Sequence, residues 1–187
     1  MGRIFLVTGG ARSGKSSFAE QLVAGFGPQI VYIATARPFD EEMIDRIARH
    51  RRQRPSSWQT FEAPERPSAV IAEQGRCCDA ILLDCLTVLA TNLLHLHRID
   101  WDHVSRGRLA EVEEEILVEI KAIYTAAQQG RADLVAVTNE VGCGIVPASP
   151  MTRFFRDCAG RINQRLAAVA DEVYWVVSGI PVRIKGD

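Results

Sequence analysis

The sequence predicts an α/β fold: a mostly parallel sheet with helices on both faces, closed at its C-terminal end by an antiparallel edge hairpin. Three observations predict it. Short β-branched runs alternate along the chain with longer stretches of helical period, the pattern of a parallel sheet joined by crossover helices. Most of these runs are apolar on consecutive positions, as strands buried on both faces should be. The last run leads at once into SGIPVRIK, where Gly179 and Pro181 mark a reversal into a final strand.

The strand runs are IFLVT at 4–8, IVYIAT at 30–35, AILLDC at 80–85, LVAVTN at 134–139 and VYWVV at 173–177. Helical spacing predicts helices over Lys15 to Ala24, Glu41 to Arg52, Leu86 to His95, Leu109 to Gln128 and Thr152 to Ala170. The stretch Arg54 to Cys78 carries Pro55, Pro64 and Pro67, and is expected to be a loop excursion beside the site. No repeat, low-complexity tract or linker divides the chain. Its 187 residues, 47% of them apolar, are expected to form one domain over 1–187.

Composition narrows the partners. A formal net charge of -1 supplies no field that would draw the chain to nucleic acid or an anionic membrane. The longest apolar tract, Ala80 to Leu96, contains Asp84 and Asn92 and is too short and polar to span a bilayer. Met1 leads directly into the first strand run, without a cleavable signal pattern. The five cysteines (Cys77, Cys78, Cys85, Cys143 and Cys158) are odd in number and form no CxxC pair. That fits reduced thiols in a cytoplasmic protein, not a disulfide frame or a zinc site.

The segment GGARSGKSS, Gly9 to Ser17, follows the first strand run and opens a helical pattern. It satisfies GxxxxGK[ST] with Gly9, Gly14, Lys15 and Ser16, so the fold is expected to be P-loop NTPase-like. Glycines let the backbone of Gly9, Gly10, Ala11, Arg12, Ser13 and Gly14 curl until successive N–H groups converge on phosphate oxygens. The helix beginning there adds its positive dipole end. Lys15 supplies a mobile charge for the outer phosphates of GTP or ATP, and Ser16 a hydroxyl for Mg²⁺. Such a loop needs an acid at the end of another strand to hold the metal. Asp84, closing AILL, is the first candidate; Glu140, after LVAVTN, is the second. Each could instead cap a helix or sit in a solvated loop.

The stretch EEMIDRIARHRRQRP sets Arg46, Arg49, Arg51, Arg52 and Arg54 around His50. Met43, Ile47 and His50 share one helical stripe, and Pro55 ends the helix. A basic run is commonly a solvated face, but this one follows the second strand, whose C-terminal end belongs on the sheet edge of the phosphate loop. A neutral imidazole placed there can attack phosphorus, and neighbouring guanidinium groups stabilise charge on phosphate oxygens. His95, His97 and His103 have no matching Cys or carboxylate frame and are read as surface or interface residues.

Assembled, these segments resemble the bifunctional adenosylcobinamide kinase / adenosylcobinamide-phosphate guanylyltransferase family of cobalamin biosynthesis. The match is carried by GGARSGKSSFAE at 9–20, YIATA at 32–36, HRRQRP at 50–55 and FEAP at 61–64. It continues through LLDCLT at 82–87, TNEVGCGIVP at 138–147 and GRINQRLAAVADEVYWVVSGIPVRIK at 160–185. The resemblance implies phosphorylation of adenosylcobinamide with ATP or GTP. GMP would then pass from GTP, through a histidine, to adenosylcobinamide phosphate, giving adenosylcobinamide-GDP. It implies His50 as the nucleotidylated residue and Gly9 to Ser16 as the phosphate loop. Further guanine-nucleotide contacts would fall at Ala34, Thr35, Ala36, Arg51, Arg52, Gln53, Arg54, Glu62 and Asp84. It also implies a homo-oligomer, trimers being among the family's forms, with sites near subunit contacts. Two other readings compete on residues alone: a kinase with another small acceptor, and a nucleotide-switched binding module. The chain has no NKxD-like guanine box where a switch would carry one.

Overall fold

A computed structural model describes residues 1–37, 41, 51 and 54–186. Seven strands make one sheet in the order β3-β2-β4-β5-β1-β6-β7. They are β1 (Ile4–Gly9), β2 (Ile30–Ala34), β3 (Gln59–Glu62), β4 (Ala80–Asp84), β5 (Asp133–Asn139), β6 (Glu172–Val177) and β7 (Ile180–Lys185). Every neighbouring pair is parallel except β6 and β7, which run antiparallel as expected. The described helices are α1 (Lys15–Ala24), α2 (Pro67–Gln74), α3 (Leu86–His95), α4 (Arg106–Gln129) and α5 (Pro150–Val169).

Period-two alternation sends each strand's side chains to two separate cores. Ile4, Leu6, Val31, Ile33, Ile81, Leu83, Leu134 and Ala136 point to one face, where α2, α3, α4 and α5 cover them. Phe5, Val7, Ile30, Tyr32, Ala80, Leu82, Val135 and Val137 point to the other, where Ala19 and Val23 of α1 pack. Helices therefore lie on both faces, four to one among the described residues.

Two elements stand where a loop excursion was expected, β3 and α2. Strand β3 is four residues of mostly exposed edge, with too little apolar alternation to announce itself. In α2 the proline that suggested irregularity, Pro67, occupies the first turn, where its fixed φ suits a helix and its missing N–H is not needed. The predicted helix over Glu41 to Arg52 lies outside the described residues apart from Glu41 and Arg51.

Candidate active site

The phosphate loop leaves β1 at Gly9 and enters α1 at Lys15. Gly9 has no room for a side chain: a Cβ there would meet the Val176 carbonyl at 2.5 Å. Gly14 has φ 93°, a left-handed conformation that glycine adopts without penalty. A Cβ on it would press to 3.0 Å from Gly179, the turn of the β6–β7 hairpin, whose N–H donates to the Ser13 carbonyl at 2.8 Å. The two-residue hairpin turn, Ser178 and Gly179 with φ of 51° and 82°, thus buttresses the loop from behind. Within the loop Ser13 N–H donates to the Gly10 carbonyl at 3.3 Å, and Phe18 N–H to the Gly14 carbonyl at 3.0 Å. Gly10, Ala11 and Arg12 are exposed, Ser13 and Ser16 half-buried.

Lys15 is only 8% exposed and donates from Nζ to the Gly10 carbonyl at 3.0 Å, which folds its ammonium back across the mouth of the loop. Its charge is felt by Cys85, the residue after Asp84. Burial pushes the Cys85 thiol up to about 11, and the Asp84 carboxylate adds to the rise. The thiol therefore stays protonated near neutral pH, a small buried residue and not a nucleophile.

Three of the nominated positions fall in one row across the carboxyl ends of the strands: Glu62 on β3, Ala34 on β2 and Asp84 on β4. Asp84 is half-buried and accepts from the Tyr32 hydroxyl at 3.1 Å. Thr35 is wholly enclosed. Its hydroxyl donates to the Cys85 carbonyl at 2.9 Å and accepts from Cys85 N–H at 2.8 Å. Its own N–H donates to the Asp84 carbonyl, and its carbonyl accepts from Asn92 Nδ2 at 2.7 Å. The Thr35 side chain is thus a brace for the strand end that carries Asp84, and only its neighbours Ala34 and Ala36 reach partial exposure.

The second acid is oriented differently. Glu140 follows β5 beside the loop, its N–H donating to the Gly9 carbonyl at 3.0 Å. Its carboxylate turns into its own segment and accepts from Gly142 N–H at 2.5 Å. Below it, Thr138, Asn139, Thr87 and Asn163 form a connected set that ties β5 to α3 and α5. Asn139 N–H donates to Thr87 Oγ1 at 2.7 Å and Thr138 Oγ1 to Asn163 Oδ1 at 2.7 Å. The TNEVG motif therefore sets the floor of the site through its first two residues.

Arg54 is the described end of the basic segment. Its guanidinium carbon stands 3.5 Å from the centre of the Tyr32 ring, a cation–π contact. Burial pushes the Glu20 carboxyl on α1 upward, the Arg54 charge draws it down and the Asp84 charge raises it. Burial likewise raises the Tyr32 hydroxyl, with Asp84 adding and Arg54 opposing. Glu20 and Tyr32 were not singled out from the sequence. The signal present there was the register of Glu20 one turn past Ser16 on α1. Arg51 is exposed; His50, Arg52 and Gln53 lie outside the described residues.

The remaining histidines lie away from this edge. His95 ends α3, with Nδ1 at 2.7 Å from the Thr91 carbonyl; His97 neighbours Arg108, and His103 sits 2.9 Å from Asp100. Since α3 starts at the sheet edge, its ten residues carry His95 roughly 14 Å away.

The GxxxxGK[ST] loop between β1 and α1 marks the class of P-loop nucleotide-binding enzymes. Residues 5–184 match the family model described as "Cobinamide kinase / cobinamide phosphate guanyltransferase", and the chain belongs to that family. It is 48% identical over 187 residues to the "Bifunctional adenosylcobalamin biosynthesis protein CobU" of Salmonella typhimurium, covering 97% of this chain and 99% of that protein. The Escherichia coli protein of the same name is 46% identical with the same coverage. The "Bifunctional adenosylcobalamin biosynthesis protein CobP" of Pseudomonas aeruginosa is 38% identical, covering 97% of each chain. The chain is accordingly a transferase of cobalamin biosynthesis, with kinase and guanylyltransferase activities.

Proposed function

We propose that the two activities share one triphosphate grip and differ in their nucleophile. The observation that supports this is the placement of Lys15, Asp84 and Arg54 at one sheet edge, with Arg54 only four residues after His50. In the kinase step the aminopropanol hydroxyl of adenosylcobinamide attacks the γ-phosphorus of ATP or GTP, and the nucleoside diphosphate leaves. Lys15 and the N–H groups of Gly10 to Lys15 hold the phosphates in line. In the second step an imidazole nitrogen of His50 attacks the α-phosphorus of GTP, and the bond to the bridging oxygen breaks to release pyrophosphate. A phosphate oxygen of adenosylcobinamide phosphate then attacks the same phosphorus, and the P–N bond breaks.

Ser16 and Asp84 suit Mg²⁺. Both offer hard oxygen, and Asp84 is only half-buried with its Oδ2 already oriented by Tyr32. When bound, the ion neutralises phosphate charge. Asp84 is preferred to Glu140, whose carboxylate is engaged within its own loop.

The homo-oligomer, a trimer included, is supported by the apolar side chains exposed on β6 and β7: Trp175, Val177, Ile180, Val182 and Ile184. All five cysteines are free thiols, which suits a cytoplasmic enzyme. Among the described residues no helix is long and apolar enough to cross a membrane.

The deciding experiment labels the α-phosphate of GTP. The enzyme is expected to retain an acid-labile label, His50→Ala to retain none, and His50→Ala to go on phosphorylating adenosylcobinamide. Label persisting on a folded His50→Ala protein moves the nucleophile elsewhere. Equal loss of both activities makes His50 a shared phosphate ligand.

A further inference from the structure

Helix α5 does not stop at the sheet edge. Asn163 lies level with the end of β5: its Oδ1 accepts from the Thr138 hydroxyl at 2.7 Å, and its Nδ2 donates to the Asn139 carbonyl at 3.2 Å. From there the helix descends along the sheet, and Asp171 N–H reaches the Ile4 carbonyl at the far end of β1. The turns from Asn163 back to Pro150 therefore extend about 20 Å past the strand ends, at 1.5 Å per residue. Phe154 and Cys158 bury the inner side of this projection, Phe154 against Trp101 with ring centres 5.7 Å apart.

The segment 140–149 climbs from β5 to the tip of the projection, and both its ends are pinned. Glu140 N–H donates to the Gly9 carbonyl at 3.0 Å, and Arg153 Nη1 donates to the Pro147 and Ala148 carbonyls at 3.0 and 2.5 Å. Between the pins, apolar side chains are turned outward. Ile145 is 97% exposed and Val146 62%, and Val141 and, just beyond, Met151 are also open to solvent. So many large apolar groups exposed along one short segment mark a surface that meets something. Its place beside the phosphate loop says what. Asn139 pairs with Gly9 across neighbouring strands, so the exposed segment begins next to the loop that holds the triphosphate. Phosphoryl transfer needs the acceptor hydroxyl in line with the γ-phosphorus, and the rest of the acceptor then has to rest on a surface adjoining that loop. The acceptor is a corrinoid, a broad macrocycle with largely apolar ring faces and its hydroxyl on a short side arm. We infer that segment 140–149, with Met151, is the docking face for the corrin ring, and that Ile145 and Val146 are its specificity-determining contacts. This inference rests on the reading of the phosphate loop as the grip of the kinase step.

Two exposed thiols serve as probe and reference. Cys143 lies within the docking face, whereas Cys77 lies in the turn before β4, at the opposite end of the sheet; Cys78, Cys85 and Cys158 are buried. Alkylation of Cys143 and Cys77 by iodoacetamide is followed by peptide mass in the full-length enzyme. It is timed with adenosylcobinamide, with a non-hydrolysable ATP analogue, with both and with neither. Saturating adenosylcobinamide is expected to slow Cys143 about tenfold, since a site of this kind encloses most of its ligand's surface. Cys77 should keep its rate, and the analogue alone should change neither thiol. In steady-state phosphorylation, Ile145→Ser should raise the KM for adenosylcobinamide about tenfold, the loss of one large aliphatic contact. Val146→Ser should raise it less, about threefold. For both variants kcat and the KM for ATP should stay within about twofold, and Ile145→Leu should keep the normal KM. The docking face is overturned by an unchanged Cys143 rate at saturating corrinoid, by full protection from the analogue alone, or by Ile145→Ser raising both KM values equally. Cys143 that is slow without ligand and quickens on dilution of the protein would assign the face to a second copy of the chain, and overturns it too. If a folded Lys15→Ala variant phosphorylates normally, the phosphate-loop reading fails, and protection of Cys143 still decides the docking face.

Discussion

Compared across the sheet, the face beneath α2, α3, α4 and α5 buries a continuous aliphatic core, whereas the face beneath α1 is smaller and ends in charged groups. On the first, Leu89, Ile116, Ile120 and Leu134 are essentially inaccessible, and the polar residues Thr87, Thr138 and Asn92 are joined into hydrogen bonds between elements. On the second, the apolar contacts of Val23, Phe5 and Val135 give way toward the strand ends to Tyr32, Glu20, Asp84, Lys15 and Arg54. The comparison teaches a division of labour. One face supplies stability that a nucleotide site would dilute, and the other keeps desolvated charge near the surface where phosphate can meet it.

The sharpest way to break that division is at Lys15. Its ammonium is buried at the end of the loop and bonded to the Gly10 carbonyl, where a full charge can meet the outer phosphates. Lys15→Ala should slow both activities about a hundred- to a thousandfold, the usual loss when one preorganised charge donor is removed. The unfolding midpoint should hardly move. Near-normal GTP consumption by a folded variant would remove the phosphate grip from this loop.

On the opposite face the expectation reverses. Ile120 of α4 is fully buried in the larger core. Ile120→Ala should lower stability by about 2–5 kcal/mol through lost contacts and the residual cavity. Turnover per folded molecule should be unchanged, measured below the new unfolding transition. A fall in turnover without a fall in stability would show that the two faces are coupled.

How much of this was legible from the chain follows the same line. The phosphate loop was readable because its chemistry is local: Gly9, Gly14, Lys15 and Ser16 sit in consecutive sequence between a strand and a helix. The buried strands were readable because burial on both faces writes an unbroken apolar run. Strand β3 was not, since QTFE is short, exposed and held mainly by backbone pairing to β2, which leaves no mark on side-chain pattern. The brace formed by Thr35 and the stacking of Arg54 on Tyr32 were hidden for another reason. Each depends on contacts between residues far apart in sequence, and spacing cannot report them.

Asp84 tests the charged face at intermediate strength. Asparagine keeps the shape and can still accept from the Tyr32 hydroxyl, so Asp84→Asn removes charge with little change in packing. Both activities should fall about ten- to a hundredfold at saturating nucleotide, the range for altered metal support. Nucleotide affinity measured without added Mg²⁺ should change little. Equal loss in the two measurements, or in neither, would make Asp84 a structural anchor for Tyr32.

The smallest effect is expected at the rim, at Glu62. The phosphate loop reads phosphates alone, so any preference for GTP over ATP has to come from groups that meet the base. Glu62 stands in the strand-end row with Ala34 and Asp84, exposed at the outer strand β3. A carboxylate there can accept from guanine N1–H and its exocyclic amine, and adenine presents no such pair of donors. Exposure weakens the discrimination by water competition, so Glu62→Ala should narrow the GTP preference of adduct formation only about fivefold. The kinase step, where either triphosphate serves, should keep its rate with ATP. An unchanged ratio of GTP to ATP in competition would place guanine recognition on the backbone of 34–36 instead, and leave Glu62 as a solvated end of the edge strand.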